Sequence, residues 1–147
     1  MTSIKAYIQN KLEQLAADTN VKILLAVESG SRAWGFPSAD SDYDVRFIYI
    51  RDRDQYLSVF ELRDVIETPL VYDEFLKVPM DLNGWDLRKG MRLALNSNAV
   101  LIEWLASPVR YMADDRILSQ LHDFVLENAD ISSLFYHYDR LARHAWQ

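Results

Sequence analysis

"ESGSRAWGFPSADSDYDVRF", Glu28 to Phe47, is the stretch on which the reading of this chain turns. It crowds Asp40, Asp42 and Asp44 together between a Gly30-Ser31 turn and the strand-like run "YDVRFIYI". Like charges at such range repel unless water solvates them or a cation neutralises them. A polar turn capped by acids explains most clusters of this kind, but it does not require this one's neighbours. The run before the turn, "VKILLAVES" (Val21 to Ser29), has strand length and is apolar enough to be buried on both faces. A Gly-Ser turn directly after such a strand can aim backbone N–H groups and a hydroxyl at an anion, and glycine lets a phosphate approach the backbone. In the next strand side chains alternate, so Asp42 and Asp44 share one side while Tyr43 and Val45 take the other. Two carboxylates on one face are half a site for a hard cation; Mg²⁺ is usually held by one or two carboxylates plus substrate phosphates. Asp40, set off by Ser41 and ahead of the strand, reads as a turn residue.

The 147 residues suffice for one domain with a real core, and half of them are hydrophobic. No stretch approaches the roughly 20 apolar residues of a membrane helix, and "MTSIKAYIQN" lacks the marks of a signal peptide. The chain has no Cys, which excludes disulfides and thiolate metal sites and fits a cytoplasmic protein. A net charge of −6 argues against a broad duplex-DNA surface, though not against a local basic groove or a polyanion held through metal ions. Neither a GxxxxGK[ST] loop nor a GxSxG elbow occurs.

Periodicity predicts a first helix over Ser3–Ala17, with Ile4, Tyr7, Ile8, the stem of Lys11, Leu12 and Leu15 on one face. Strands follow at Val21–Ser29 and Tyr43–Ile50, then a helix at "DQYLSVF" and strand-like pieces at Asp64–Glu67 and Val78–Gly84. From Asp86, an apt N-cap, the pattern turns helical, with Leu87, Met91, Leu93 and Leu95 as a core stripe. "AVLIEWLAS" makes a second helix stopped by Pro108, Ile117 to Val125 a third, and Leu134 to Ala145 a fourth. The expected class is α+β: a small mixed sheet with flanking helices, then an all-helical segment docked on it.

Gly30-Ser31 followed by Asp42-Tyr43-Asp44 resembles the signature of the DNA polymerase β-like nucleotidyltransferase superfamily. With "DLNGWDLRKG" and "SNAVLIEWLASPVRY" downstream, the chain is similar to a bacterial and phage branch of predicted nucleotidyltransferases, some associated with RNA-repair ligase systems. That resemblance implies a nucleotidyltransferase core over 1–95 and a helical segment over 96–147 that is short relative to the family. It implies in-line attack by a hydroxyl on the α-phosphate of a nucleoside triphosphate, with pyrophosphate leaving, at a site of two Mg²⁺ or Mn²⁺ ions. Asp42, Asp44 and a third acid at the Asp81 position would be catalytic and metal-binding; Asp86 competes for that third place. Gly30, Ser31, Arg32 and Ser41 are the implied nucleotide-binding residues.

Arg32 and Arg46 suit phosphate contact and ion pairing equally well. Arg88 and Lys89 sit in a first helical turn, where cations are disfavoured, and so call for a phosphate or carboxylate partner. Trp34 and Trp85 are expected to be buried rather than stacked on a base, and His137 and His144 to be ordinary helix residues. Three functions follow: an enzyme whose acceptor is RNA, a protein or a small molecule; a non-catalytic nucleotide-binding regulatory module; or an antitoxin-like or repair-complex component acting through a partner.

Overall fold

The structure, a computed structural model, describes residues 2–145. Its first helix, α1 (Ile4–Thr19), begins at Ser3, whose hydroxyl accepts the Ala6 N–H at 3.2 Å, and buries Ile8 and Leu12. It ends at Asn20, in the left-handed region at φ 52°, from which the chain turns directly into β1 (Val21–Glu28). β2 (Tyr43–Arg51) returns antiparallel to β1. After a single helical turn, α2 (Arg53–Tyr56), come the short strands β3 (Val65–Glu67) and β4 (Val71–Asp73) and the long β5 (Val78–Asp86). β5 lies parallel to β2 and antiparallel to both β3 and β4. Then follow α3 (Leu87–Leu95), α4 (Ala99–Ala106), β6 (Arg110–Ala113), α5 (Asp115–Asn128) and α6 (Ile131–Ala145). The six strands form one mixed sheet in the order β3-β5-β2-β1-β6, with β4 also on β5.

Each face of the sheet has its own core. On one, Val45, Phe47 and Tyr49 of β2 and Met80 and Leu82 of β5 pack under Ile8 and Leu12 of α1. On the other, Leu25, Val27 and Ile48 pack under Ala94 of α3, Leu101, Trp104 and Leu105 of α4, and Leu118, Leu121 and Val125 of α5. Phe47 lies opposite Gly84 in the β2–β5 register, and a Cβ on Gly84 would fall 2.1 Å from its ring. Glycine here is a space requirement: the parallel neighbour must vanish for the ring to lie across it. Among the described residues no helix is long and apolar enough to cross a membrane.

The expected α+β architecture is present, with several local corrections. The segment after residue 95 is not wholly helical, because β6 pairs with β1 at the sheet edge through Leu25, Ala26 and Val27. Four residues after Pro108 carry too little periodicity to be told from a loop; long-range pairing makes the strand. The helix expected at "DQYLSVF" is one turn, and Leu57, Val59 and Phe60 beyond it are exposed. β5 runs two residues past Gly84, to Asp86, and β4 was not expected. In α3 the buried face is Gly90 and Ala94, while Met91 and Leu95 point outward. A Cβ on Gly90 would meet Ile48 at 4.0 Å, an ordinary contact, so this face of α3 lies over the sheet. Trp34 is not buried but 41% exposed.

α4 and α5 bury the stripes expected of them, whereas α6 leaves Ile131, Phe135, Tyr136 and Leu141 uncovered. The side chain of Ala145, placed on that last stripe by the sequence, lies outside the described residues.

Candidate active site

Parallel pairing of β2 with β5 sets Asp44 opposite Asp81 in register. Burial alternates strictly along β5, so Asp81, Asn83 and Trp85 share the face opposite Met80, Leu82 and Gly84. By the same alternation Asp44 and Arg46 share a face of β2 with Ile48, which is fully buried beneath the helices. Asp44 and Asp81 lie outside that cover, with 25% and 12% of their side chains exposed. Asp42 immediately precedes β2, and its charge bears on Asp44.

Arg46 bridges the two paired acids: one guanidinium nitrogen lies 3.1 Å from Asp44 Oδ1 and the other 2.9 Å from Asp81 Oδ1. Asn83 Nδ2 donates to the remaining Asp81 oxygen at 3.2 Å. The Asp44 carboxyl is nonetheless held above its ordinary pKa, first by burial, then by the negative charges of Asp42 and Asp81, against the pull of Arg46. One arginine does not balance three acids.

Beneath Asp44 lies Glu28, fully buried at the end of β1. Its Oε1 accepts the Asp44 backbone N–H at 2.7 Å, and its Oε2 accepts the Tyr111 hydroxyl at 2.6 Å. Burial raises the Glu28 pKa, while these donors favour the carboxylate. The buried Tyr111 hydroxyl is pushed far up by loss of water and by the Glu28 charge. Glu28 thus ties β1, β2 and β6 together at the point where β2 presents its acid. Nothing in the motif reading singled it out, although it is the charged residue that closes the apolar run Ile23–Val27.

The turn residues come together around Ser41. The Ser31 hydroxyl donates to Ser41 Oγ at 3.1 Å, and Ser41 Oγ also accepts the Ser38 N–H at 2.9 Å. Arg32 stacks on the Tyr43 ring at 4.2 Å, and its Nε donates to the carbonyls of Ser41 and Asp42, each at 3.1 Å. In this arrangement Arg32 clamps the segment ahead of β2. Gly30 lies directly against Asp44: a Cβ there would fall 2.0 Å from Asp44 Oδ2.

Other candidates are placed elsewhere. Asp86 is buried, caps α3 by accepting the Arg88 N–H at 2.8 Å, and accepts the Tyr56 hydroxyl at 2.9 Å. Arg88 and Lys89 have carboxylate partners: Arg88 Nε lies 3.6 Å from Asp86 and Lys89 Nζ 3.4 Å from Asp64. Trp85 stacks on Trp104 with ring centroids 3.9 Å apart. These indoles help line a cavity of about 300 Å³ together with Ser29, Arg46, Glu67 and Glu103, so it adjoins the acids through Arg46. A larger open cavity of about 670 Å³, between Asn96–Ala99 and α6, shares none of these residues.

Asp42, Asp44 and Asp81 are an all-oxygen donor set of the kind hard divalent cations take. The structure tests that fit directly, since a positive charge already sits between two of the carboxylates as the Arg46 guanidinium. Among the described residues no group of three or more acidic or imidazole side chains is placed to hold a metal ion. The donors suit the cation; the arginine stands in the gap.

A family model described as "RlaP: RNA repair pathway DNA polymerase beta family" matches residues 4–147. The uncharacterized protein YcgL of Bacillus subtilis (strain 168) is 44% identical over 140 residues, covering 95% of this chain and 52% of that protein. This chain therefore spans about half the length of that relative. The crystal structure of a nucleotidyltransferase-like protein from Exiguobacterium sibiricum 255-15 aligns with 89% of this chain and 41% of its own, at 15% identity and a TM-score of 0.49.

Proposed function

Because the chain belongs to the RNA repair pathway DNA polymerase beta family, we propose that it transfers a nucleoside monophosphate from a nucleoside triphosphate to a hydroxyl acceptor, RNA being the first candidate. The observation that supports this most is the in-register pair Asp44 and Asp81 on adjacent parallel strands, beside a glycine turn and partly exposed. Like charges set opposite one another on neighbouring strands cost stability, which Arg46 offsets here. Asp42, Asp44 and Asp81 would hold Mg²⁺ or Mn²⁺, and Gly30 and Ser31 the triphosphate. When bound, the ions would stabilise the attacking and leaving oxygens of the displacement.

The remaining work falls to the chain's own residues. Glu28 fixes the Asp44 backbone, so this acid is presented in one position rather than several. Arg32 and Ser31 hold Ser41 and thereby the entry to Asp42; their role in this reading is to shape the turn as much as to touch phosphate. Trp85, Val100 and Trp104 give the adjoining cavity apolar walls.

Incubation with each labelled nucleoside triphosphate and Mg²⁺, against total cell RNA and protein, tests the proposal. Label should move to an acceptor, and Asp42→Asn with Asp44→Asn should abolish the transfer. A protein that moves no label with any nucleotide or acceptor is not this enzyme. A second reading, a component acting through a bound partner, is favoured by α6, where Ile131 is 80% and Phe135 67% exposed.

A further inference from the structure

We propose that Arg46 is a resident counter-ion that competes with the divalent cation for Asp44 and Asp81, so that metal entry displaces its guanidinium into the adjoining cavity. This inference rests on the metal-dependent reading of the site. Its basis is geometric. Arg46 contacts both paired acids, at 3.1 and 2.9 Å, while only 17% of its side chain is exposed. An arginine on a sheet surface normally extends into solvent; this one folds back along its own strand to lie between two carboxylates. Without it, Asp44 and Asp81, set opposite one another in register, would have no neutralising group between them, at a cost to the metal-free fold. With it, an oxygen of each paired acid is occupied by an N–H donor. Metal and guanidinium therefore compete for the charge and the lone pairs of the same two carboxylates.

The released side chain has somewhere to go. Arg46 lines the cavity of about 300 Å³ whose other charged walls are Glu67 and Glu103. Among the described residues, the side chain of exposed Glu67 is held only by Arg63 at 3.4 Å, and that of half-buried Glu103 only by the Tyr138 hydroxyl at 3.2 Å. Each retains capacity to accept a guanidinium. Displacement would move positive charge from the metal site to the wall of the neighbouring cavity, so occupation of the first changes the charge of the second.

Calorimetric titration of Mn²⁺ alone, without nucleotide, into the wild-type protein and Arg46→Met tests this. Arg46→Met should bind Mn²⁺ about tenfold more tightly, the low end of what one contacting opposite charge does to a carboxylate's proton affinity. Its metal-free form should melt lower than wild type and regain the difference on Mn²⁺ addition. Arg46→Lys places a single ammonium where the guanidinium spans two acids. It should fall between the two, and it serves if Arg46→Met does not fold. Equal or weaker Mn²⁺ affinity in the folded variants overturns the proposal while leaving the metal site standing. A variant that loses affinity for Mg²⁺–triphosphate but keeps that for Mn²⁺ makes Arg46 a phosphate ligand and also overturns it. No Mn²⁺ binding by wild type or variants overturns both this proposal and the metal-dependent reading.

Discussion

Asp81 and Asp86 occupy one strand, yet five positions of alternation give them opposite faces and opposite surroundings. Asp81 is paired with Asp44 and Arg46 at the open site, whereas Asp86 is 1% exposed and engaged by Arg88 N–H and the Tyr56 hydroxyl. Asp86→Ala should therefore cost stability: about 0.5–2 kcal/mol for the cap, and about 1 kcal/mol more for the Tyr56 hydroxyl left without its acceptor. Asp81→Asn should stay folded and lose transfer. Urea melts and the transfer assay separate the two; an Asp86→Ala protein of wild-type stability without activity would reverse the assignments. The missing Cβ of Gly30 makes room for the Asp44 carboxylate.

The β1–β2 connection and the β2–β5 pair each contain a glycine whose neighbour leaves no room for a side chain, but with different consequences. Gly30→Val should push Asp44 out of position while the fold survives, because the obstructing atoms belong to one short side chain at the surface. Mn²⁺ and triphosphate affinity should both drop, with little change in melting temperature; unchanged affinities would place the ligand elsewhere. Gly84→Ala meets the Phe47 ring inside the core, where overpacking costs about 1–3 kcal/mol, so the loss should appear in denaturant midpoint. A variant as stable as wild type would mean that Phe47 can re-pack without cost.

For the molecule as a whole, the site's acids set how stability responds to pH. Glu28 and Asp44 are both raised, above ordinary values of 4.5 and 3.8. Between those values and the raised ones, the folded chain retains protons that the unfolded chain has released. These two groups therefore subtract stability as pH climbs through that window. Asp73 has the opposite sign: burial alone would raise it, but the Leu76 and Phe75 N–H groups and the Tyr7 hydroxyl bring it below 3.8. Its contribution is present above that value and lost as pH falls. Thermal melts across this range should show Glu28→Gln with Asp44→Asn losing less stability toward neutral pH than wild type. Parallel curves for the two proteins would show that neither acid carries the dependence. Mn²⁺ should flatten the wild-type curve in the same way, since a ligand of the folded state only adds stability where the acids are charged.

Much of this was legible in local pattern. Strand alternation separated Asp44 from Tyr43 and Val45, and Asp81 from Met80 and Leu82, because a period of two is written residue by residue, whereas Asp42 lies just ahead of β2 and outside that alternation. The cap at Asp86 needed only the helical run that follows it. What depended on residues far apart in the chain was not legible. β6 is a strand because β1 has a free edge, Glu28 is buried because Tyr111 and Asp44 N–H converge on it, and the α3 face follows from the packing of Ala94 into the cluster that holds Leu25, Val27 and Ile48. Arg46 is the sharpest case. Its sequence neighbours suit phosphate contact and ion pairing equally, and only the parallel register of β2 with β5 brings Asp81 within reach of its second nitrogen. Composition and periodicity act through neighbours along the chain, while the charge balance of a site is settled by whichever strands the fold lays side by side.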